Sequence, residues 1–198
     1  MKDDSKRVVI LVLLAWLCFA VGLASWFHDA GATAVAATVW ILTAFVLLAC
    51  WKISPIRVWV LNVDIRWLVL FHVTRLFAGA YFLVLCERVQ LPCGFARLAG
   101  WGDIVVAVLA LTVVGGMRTQ FAKALLLIWN TIGLIDISLV VFSALRLGLK
   151  DWQSMHALRE LPLSLLPTFL VPLIITSHVL IFVWMVRAGN QFTVITNR

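Results

Sequence analysis

Charged residues are scarce in this sequence. They make up 13% of the 198 residues, whereas 64% of the residues are hydrophobic and the mean hydropathy is +1.07. Soluble domains use about 25% charged and about 45–50% apolar residues. The composition therefore excludes a soluble domain of ordinary make-up and indicates a protein that lies in a lipid bilayer.

The sequence also lacks the short motifs of soluble enzymes. It contains no Walker loop, no GxGxxG after a strand, no HExxH, no GxSxG and no carboxylate pair typical of hydrolases. No nucleophile, base and orienting group can be placed together from the sequence. Whether the protein is an enzyme is left open, and no catalytic residue is predicted.

The net charge of +7 is spread along the chain rather than gathered on one basic face. Lys and Arg residues occur in short segments between apolar runs, which is typical of membrane topology and not of nucleic-acid binding. We therefore expect no nucleic-acid partner.

Four cysteines are present, without a CxxC pair or a zinc-ligand spacing. Cys86 and Cys93 flank one short loop, and they could form a disulfide if that loop faces an oxidising compartment. Two unlinked thiols are the interpretation that the sequence favours.

Several apolar runs of about 20 residues are present, each long enough to cross a hydrocarbon core of about 30 Å. We predict an all-α polytopic integral membrane protein that forms a single membrane domain over residues 1–198. The first run lacks a convincing cleavage site, so it is interpreted as a retained helix and not as a signal peptide. The six predicted transmembrane helices span residues 8–27, 33–51, 67–86, 101–117, 121–145 and 161–186.

Two polar segments between these helices are predicted to lie at the membrane surface. Residues 52–67 combine a proline, an aspartate and arginines with tryptophans, which anchor at the interface. Residues 146–160 place Leu149, Trp152 and Met155 near helical spacing, which favours a short interfacial helix.

The basic residues predict the orientation of the chain, because cytoplasmic segments are rich in Lys and Arg. Six spans put both termini on one side. With both termini in the cytoplasm, ten basic residues lie on the cytoplasmic side and five on the opposite side, so we predict an N-in, C-in topology. The ten are Lys2, Lys6, Arg7, Lys52, Arg57, Arg66, Arg118, Lys123, Arg187 and Arg198, and the five are Arg88, Arg97, Arg146, Lys150 and Arg159.

One arginine, Arg75, is predicted near the middle of the membrane, where an arginine costs roughly 2.5–3.5 kcal/mol on insertion scales. It therefore has to face protein or water and to find a partner. Residues three, four and seven apart share a helix face, which places Arg75 on a stripe of four residues opposite the lipid. The stripe consists of His72, Arg75, Gly79 and Cys86, and its glycine lets another helix approach closely.

Two aspartates are candidate partners of Arg75. Asp136 lies within another apolar run, with Asn130 and Gly133 close to it on the helix surface. Asp103 is predicted at the outer start of the fourth helix, where it is cheaper to ionise. Such a cluster either pins the bundle together or binds a proton, an ion or an anionic group, and both interpretations stay open.

Two histidines, His72 and His178, are predicted on separate helices at similar depth. They could ligate a haem iron, or they could form a proton relay with an aspartate. The more common alternative is that each is a hydrogen-bonded packing residue.

The last predicted helix contains three prolines. An interior proline removes one helical hydrogen bond and leaves a carbonyl free one turn earlier. For Pro172 this carbonyl belongs to Thr168, and the sequence predicts a bend there.

The chain resembles a family of small bacterial multi-pass membrane proteins, known only as uncharacterised, in the segments HVTRLFAGAYFLVL, LPCGFARLAGWGDIVVA, WNTIGLIDI and LPLSLLPTFLVPLIITSHVL. The resemblance covers residues 66–183. It implies a bacterial inner-membrane setting and assigns no activity, cofactor or residue role.

The leading hypothesis is an integral membrane protein with an intramembrane polar site, acting as a proton- or ion-coupled carrier in the cell inner (plasma) membrane. One alternative is a b-type haem electron-transfer protein with His72 and His178 as axial ligands. Another is a structural or assembly subunit of a membrane complex, or a homo-oligomer, with the faces of Gly79 and Gly133 as partner surfaces. The predicted binding residues are Arg75, Asp103, Asn130, Asp136, His72 and His178.

Overall fold

The computed structural model describes residues 2–23 and 29–188 and, within these parts of the chain, contains eight α-helices. Six helical spans among the described residues are long and apolar enough to cross a membrane. They are Asp4–Gly22, Ala32–Lys52, Ile65–Glu87, Cys93–Gly116, Ala122–Gly148 and Leu166–Arg187. The prediction of an all-α multi-pass membrane protein with six long helices is confirmed.

Short connections join most of the helices. The helices are α1 Lys2–Gly22, α2 Ala32–Lys52, α3 Ser54–Asn62, α4 Ile65–Phe71, α5 Thr74–Glu87, α6 Cys93–Gly116, α7 Ala122–Gly148 and α8 Val171–Ala188. A 3₁₀ helix, Gln153–Arg159, and a π-helical turn, Leu166–Leu170, lie between α7 and α8. The predicted end of the first helix at Phe27 lies outside the described residues.

The starts of the fourth and sixth predicted helices lie farthest from those in the structure. The helix α6 begins at Cys93 rather than at Trp101, because residues 93–100, interpreted as part of a loop, are helical. Glycine costs a helix about 1 kcal/mol relative to alanine, and close packing against a second backbone offsets this cost. The last α-helix begins at Val171 rather than at Leu161, and a π-helical turn precedes it.

The third predicted helix is divided at His72 into α4 and α5. The backbone N–H groups of Val73 and Arg75 donate to the carbonyls of Leu70 and His72, three residues earlier, at 3.0 and 3.1 Å. This 3₁₀ spacing tightens the chain in the middle of a membrane span. The tight turn therefore lies at His72 and next to Arg75.

Both segments predicted at the membrane surface contain a short helix. In the first segment, α3 packs against α1 and α2. In the second segment the helix is 3₁₀ in type, and Trp152, directly before it, donates from its indole Nε1 to the carbonyl oxygen of Ala30 at 2.7 Å. This hydrogen bond fixes the second segment to the start of α2.

Cys86, near the end of α5, and Cys93, at the start of α6, form a disulfide with their Cα atoms 4.8 Å apart. The interpretation as two unlinked thiols is therefore wrong, because the connection between α5 and α6 brings the two residues together. Cys18 and Cys50 are free thiols. We call the end of the bundle that carries this bond the disulfide end, and the opposite end, where α3 lies, the α3 end.

The backbone carbonyl that Pro172 leaves without its usual helical donor accepts a hydrogen bond from another helix. Within the π-helical turn, the carbonyl oxygen of Thr168 accepts a hydrogen bond from the indole Nε1 of Trp16 on α1 at 3.0 Å. Such π-helical turns form where the regular helical hydrogen-bond ladder is interrupted. A π-helical turn replaces the regular helix at Thr168, where the sequence predicts a bend, and this turn is the attachment point of α1.

Candidate functional site

Arg75, the second residue of α5, forms the centre of the site and is completely buried. Its Nε atom donates to Oδ1 of Asp103 at 2.6 Å, and its Nη2 atom donates to Oδ2 of Asp136. Its Nη1 atom donates to the carbonyl oxygen of Gly133 at 3.3 Å. The guanidinium therefore joins α5 to both α6 and α7.

Both candidate partners bind Arg75 at the same time. The sequence placed Asp136 first and Asp103 second as alternatives, whereas one guanidinium contacts both carboxylates. This is possible because the planar arginine head presents its N–H donors in several fixed directions. We call Asp103, Arg75 and Asp136 the triad.

The position of Asp103 corrects one prediction. It was expected at the outer mouth of the site, at the start of a helix, but it lies in the interior of α6 and is 4% exposed. The reason is the earlier start of α6 at Cys93, which moves Asp103 several turns into the helix. Asp103 is therefore a central member of the site and not its entrance.

Glycines make the contact between the helices of the triad close enough for these ion pairs. A Cβ atom added to Gly79 would lie 2.5 Å from the carbonyl oxygen of Gly100, so the backbones of α5 and α6 touch there. A Cβ atom on Gly102 would collide with the carboxylate of Asp136. The close approach predicted for Gly79 is confirmed, and Gly102 provides the space that Asp136 occupies.

The two carboxylates differ in their access to the outside of the protein. The side chain of Asp136 is 21% exposed, whereas that of Asp103 is 5% exposed. Among the described residues, Arg75 is the cation that contacts either of them. With both carboxylates ionised, the triad therefore carries one excess negative charge.

A second polar cluster lies beside the triad and consists of His72, His178, Asn130 and Ser177. The amide of Asn130 donates from Nδ2 to the carbonyl oxygen of His178 at 3.0 Å, and its Oδ1 lies 2.8 Å from Nδ1 of the same histidine. Nε2 of His72 lies 3.0 Å from the hydroxyl of Ser177. Asn130 was predicted in one cluster with Asp136, but it binds His178 instead.

Hydrogen-bond partners define the protonation of both imidazoles. The single hydroxyl proton of Ser177 goes to the carbonyl of Ile174 at 2.8 Å, so its oxygen accepts from Nε2 of His72. Asn130 Oδ1 accepts from Nδ1 of His178. The other nitrogens, Nδ1 of His72 and Nε2 of His178, are buried and have no partner among the described residues. In the neutral form of each histidine, this second nitrogen carries the lone pair.

This direction also argues against a serine nucleophile. In nucleophilic catalysis the serine hydroxyl donates to the histidine, which then removes its proton. Here Ser177 accepts from His72 and donates to its own helix. The pair is therefore a structural hydrogen bond. Ser177 was not among the predicted site residues, although its place next to His178 in an apolar run was the available signal.

The two clusters adjoin at Gly133. Its carbonyl oxygen accepts from Arg75, and a Cβ atom added to it would lie 2.5 Å from Cε1 of His178. The contact surface predicted for a partner protein at Gly133 is thus occupied by the chain's own histidine, and the surface at Gly79 is occupied by α6. The alternative of an assembly subunit loses both surfaces on which it rested.

A haem does not fit between the two histidines. Axial ligation by two histidines requires the porphyrin plane to lie between the imidazole rings. The ring centroids of His72 and His178 are only 4.2 Å apart, the rings are in direct contact, and both side chains are fully buried. The b-type haem alternative is therefore contradicted by this geometry. Among the described residues, no group of three or more His, Cys, Asp or Glu side chains is arranged to hold a metal ion.

Two cavities approach the polar centre from opposite ends of the bundle. The smaller, of about 70 Å³, is lined by Ala32 and Trp152 at the disulfide end and by Arg75 and Asp103. The larger, of about 540 Å³, extends from α3 to Ser177 between α1, α2, α4 and α8. We call the larger one the apolar cavity.

These features define a class: a multi-pass membrane protein whose helices enclose a charged triad and a histidine pair. The chain belongs to the family described as a domain of unknown function, DUF8737, which matches residues 32–186. The match includes all six predicted site residues. Comparison with curated proteins gives no match, and comparison with solved structures gives none either. A family without an assigned activity transfers no role, so function has to be inferred from the site.

Proposed function

We propose that this protein is a proton- or ion-coupled membrane carrier and that the triad is its coupling site. The observation that carries the proposal is the charge of the triad, in which two carboxylates contact one guanidinium. An unbalanced charge in the middle of a bilayer is unfavourable by several kcal/mol. One proton or one monovalent cation removes the imbalance.

Asp136 is the group that takes up this proton or cation in the proposal. Its side chain is the more exposed of the two carboxylates, and it can be neutralised while the contact between Arg75 and Asp103 stays in place. When Asp136 is neutralised, Arg75 keeps a complete ion pair with Asp103. The hydrogen bond from Arg75 to Asp136 then weakens, because a neutral carboxyl is a poorer acceptor than a carboxylate.

Three further features support coupling to movement of the helices. The span that carries Arg75 is interrupted by a 3₁₀ turn at His72, and the last span begins with a π-helical turn. Interrupted helices at mid-membrane depth are a recurring feature of transporter binding sites. The smaller cavity reaches Arg75 and Asp103 from the disulfide end and gives the triad a path towards that side. The free lone pairs of His72 and His178 supply proton acceptors beside the triad.

Infrared difference spectroscopy of the purified protein tests the binding step. We expect the wild type to lose the carbonyl band of a protonated buried carboxyl on alkalinisation or on addition of Na⁺. The variant Asp136→Asn should lack this band, while Asp29→Asn, which changes an exposed carboxylate in a turn, should keep it. Identical difference spectra for the wild type, Asp136→Asn and Asp103→Asn would overturn the proposal.

Electrical recording on protein-containing membranes tests the carrier itself. A rapid pH or Na⁺ jump should give a transient current in the wild type, because the ion enters a site inside the membrane and stops there until a co-substrate binds. Asp136→Asn should abolish this current. A sustained current would indicate a channel, and the absence of any current in the wild type would exclude an ion-coupled carrier.

We further propose that both termini face the cytoplasm of a bacterial cell and that the disulfide end faces the oxidising side. The excess of basic residues at the α3 end and the bond between Cys86 and Cys93 support the same orientation independently. A green fluorescent protein fused to the C-terminus should fluoresce, since it folds poorly outside the cytoplasm. A dark fusion that becomes fluorescent when one extra transmembrane helix precedes the tag would reverse the orientation.

A further inference from the structure

The apolar cavity plays no part in the proposed coupling site. Its volume of about 540 Å³ is large for a protein interior, in which few voids exceed a water molecule. Its lining is almost entirely apolar, with Cys50, Thr176 and Ser177 as the polar exceptions. Water has too few hydrogen-bond partners to fill such a space favourably.

The cavity opens towards the lipid. Phe19, Phe45 and Trp67 line it and are 61%, 67% and 68% exposed. On α1 the lining extends from Val9 to Phe19, which is about 15 Å of helix rise. A hydrocarbon core is about 30 Å thick, so the cavity has the depth of one leaflet. Its dimensions therefore fit a lipid chain that enters from the α3 end.

Basic residues lie close in sequence to the cavity-lining residues at the α3 end, and we call them the basic rim. Arg57 lies on α3 between Ile56 and Val60, which line the cavity. The exposed basic residues of this rim are Lys6, Arg7, Lys52, Arg57 and Arg66. The exposed acidic residues of the same segments whose side chains are described are Asp4 and Asp64. Five basic and two acidic residues leave an excess of three positive charges at the rim.

We propose that the apolar cavity is a binding site for one phospholipid of the leaflet at the α3 end, with an acyl chain inside the cavity and an anionic headgroup at the basic rim. Apolar burial supplies the affinity, and the rim supplies the preference for anionic over zwitterionic headgroups. This site is separate from the triad, so its failure would leave the carrier proposal untouched.

The basic residues at the α3 end are also explained by the orientation of the chain in the membrane. The experiment therefore has to separate lipid binding from orientation. Arg118 lies in the turn between α6 and α7, is exposed, and does not line the cavity. Like Arg57→Gln, the variant Arg118→Gln removes one positive charge at the α3 end. Unlike Arg57, however, Arg118 is not next to residues that line the cavity. Ala44 is exposed on α2 and does not line the cavity, whereas Ala49 does. Ala44→Phe is thus the matched control for Ala49→Phe, which fills the cavity.

Native mass spectrometry measures the bound lipid after the full-length protein is exchanged into detergent with equal amounts of phosphatidylglycerol and phosphatidylcholine of identical chains. We expect one phospholipid per wild-type chain, mainly phosphatidylglycerol. Arg57→Gln should lower the preference about fivefold, the effect of one basic residue at a membrane surface, while Arg118→Gln should leave it unchanged. Ala49→Phe should remove the bound lipid, while Ala44→Phe should retain it.

Several outcomes would overturn the proposal. Equal binding of both lipids by the wild type would show that the site does not distinguish anionic from zwitterionic headgroups. Unchanged binding in Ala49→Phe would place the lipid elsewhere on the protein. A lipid-free dimer would assign the cavity to a second copy of the chain. Gel filtration of each variant reports folding, and the Arg57→Gln result remains decisive if Ala49→Phe does not fold.

Discussion

Two regions of this molecule solve the problem of packing helices in a membrane in opposite ways. Around Arg75 the helices α5 and α6 touch through glycine backbones, and each nitrogen of the guanidinium head donates to an acceptor. Around the apolar cavity, parts of α1, α2, α3, α4 and α8 leave about 540 Å³ between them. The first region is polar and closed, and the second is apolar and open.

The difference follows from what each kind of surface needs. A buried charge is tolerated only with direct contacts to opposite charges and hydrogen-bond partners. Apolar surface in a bilayer has no such requirement, because lipid chains are as apolar as leucine. A gap in the polar region would be expensive, whereas a gap in the apolar region can be filled by lipid.

The largest effect is expected from removing the charge that closes the polar region. Arg75→Gln leaves Asp103 and Asp136 facing each other without a cation, and we expect a loss of about 3–5 kcal/mol in the free energy of unfolding. Unfolding of the purified protein by titration with SDS measures it. Arg97→Gln, which changes an exposed arginine on α6, is the control. Similar stability of both variants would remove the distinction between the two regions.

A pair of phenylalanines compares the two regions directly. Phe95 is 1% exposed in the packed core, whereas Phe45 is 67% exposed at the apolar cavity. Phe95→Ala creates a void among protein atoms and should cost about 3 kcal/mol, while Phe45→Ala is filled by lipid and should cost about 1 kcal/mol or less. The same SDS titration measures both. Equal losses would mean that the cavity wall is as tightly packed as the core.

The hydrogen bond that attaches α1 to the rest of the bundle should have an intermediate effect. Trp16→Phe keeps the aromatic ring but leaves the buried Thr168 carbonyl without its indole donor, which should cost about 1–3 kcal/mol. The midpoint of thermal unfolding in detergent is a suitable measurement. Trp40→Phe, at a half-exposed position of α2, should change the midpoint little.

The smallest change in stability is expected from Asp136→Asn, although this residue is charged and central. The substitution removes the excess negative charge while Arg75 keeps its pair with Asp103, so the two effects oppose each other and the net change should be within about 1 kcal/mol. Asp103→Asn should be more harmful, because Asp103 is nearly fully buried. A greater loss for Asp136→Asn would show that both carboxylates are needed for folding.

The sequence predicted which residues form the polar centre better than it predicted how these residues are arranged. Arg75 stands out because an arginine inside an apolar run is costly, and Asp136 stands out for the same reason. Asp103 was also found, but its depth was wrong, since glycines at 94, 100 and 102 are typical of loops as well as of close helix contacts. Only the crossing of α5 and α6 distinguishes these two uses of glycine.

The histidines illustrate a second limit. Two histidines at similar depth are compatible with haem ligation, a relay or simple packing, and the sequence cannot choose, because the choice depends on the distance between two helices. Ring contact at 4.2 Å excludes a porphyrin plane between them. Likewise, the disulfide depends on the short connection between α5 and α6, whose length was overestimated when α6 was expected to begin at Trp101.

By itself the sequence determined that this is an all-α protein with six long apolar helices, that Arg75 lies buried among them and that Pro172 frees a carbonyl at Thr168. These properties follow from sums over neighbouring residues or from covalent geometry, so they can be calculated along the chain. The tertiary structure alone decided that one arginine binds two aspartates, that Asn130 belongs to His178, and that a lipid-sized cavity lies beside them. These properties depend on contacts between distant segments, which form only where glycine, charge and shape agree across helix faces.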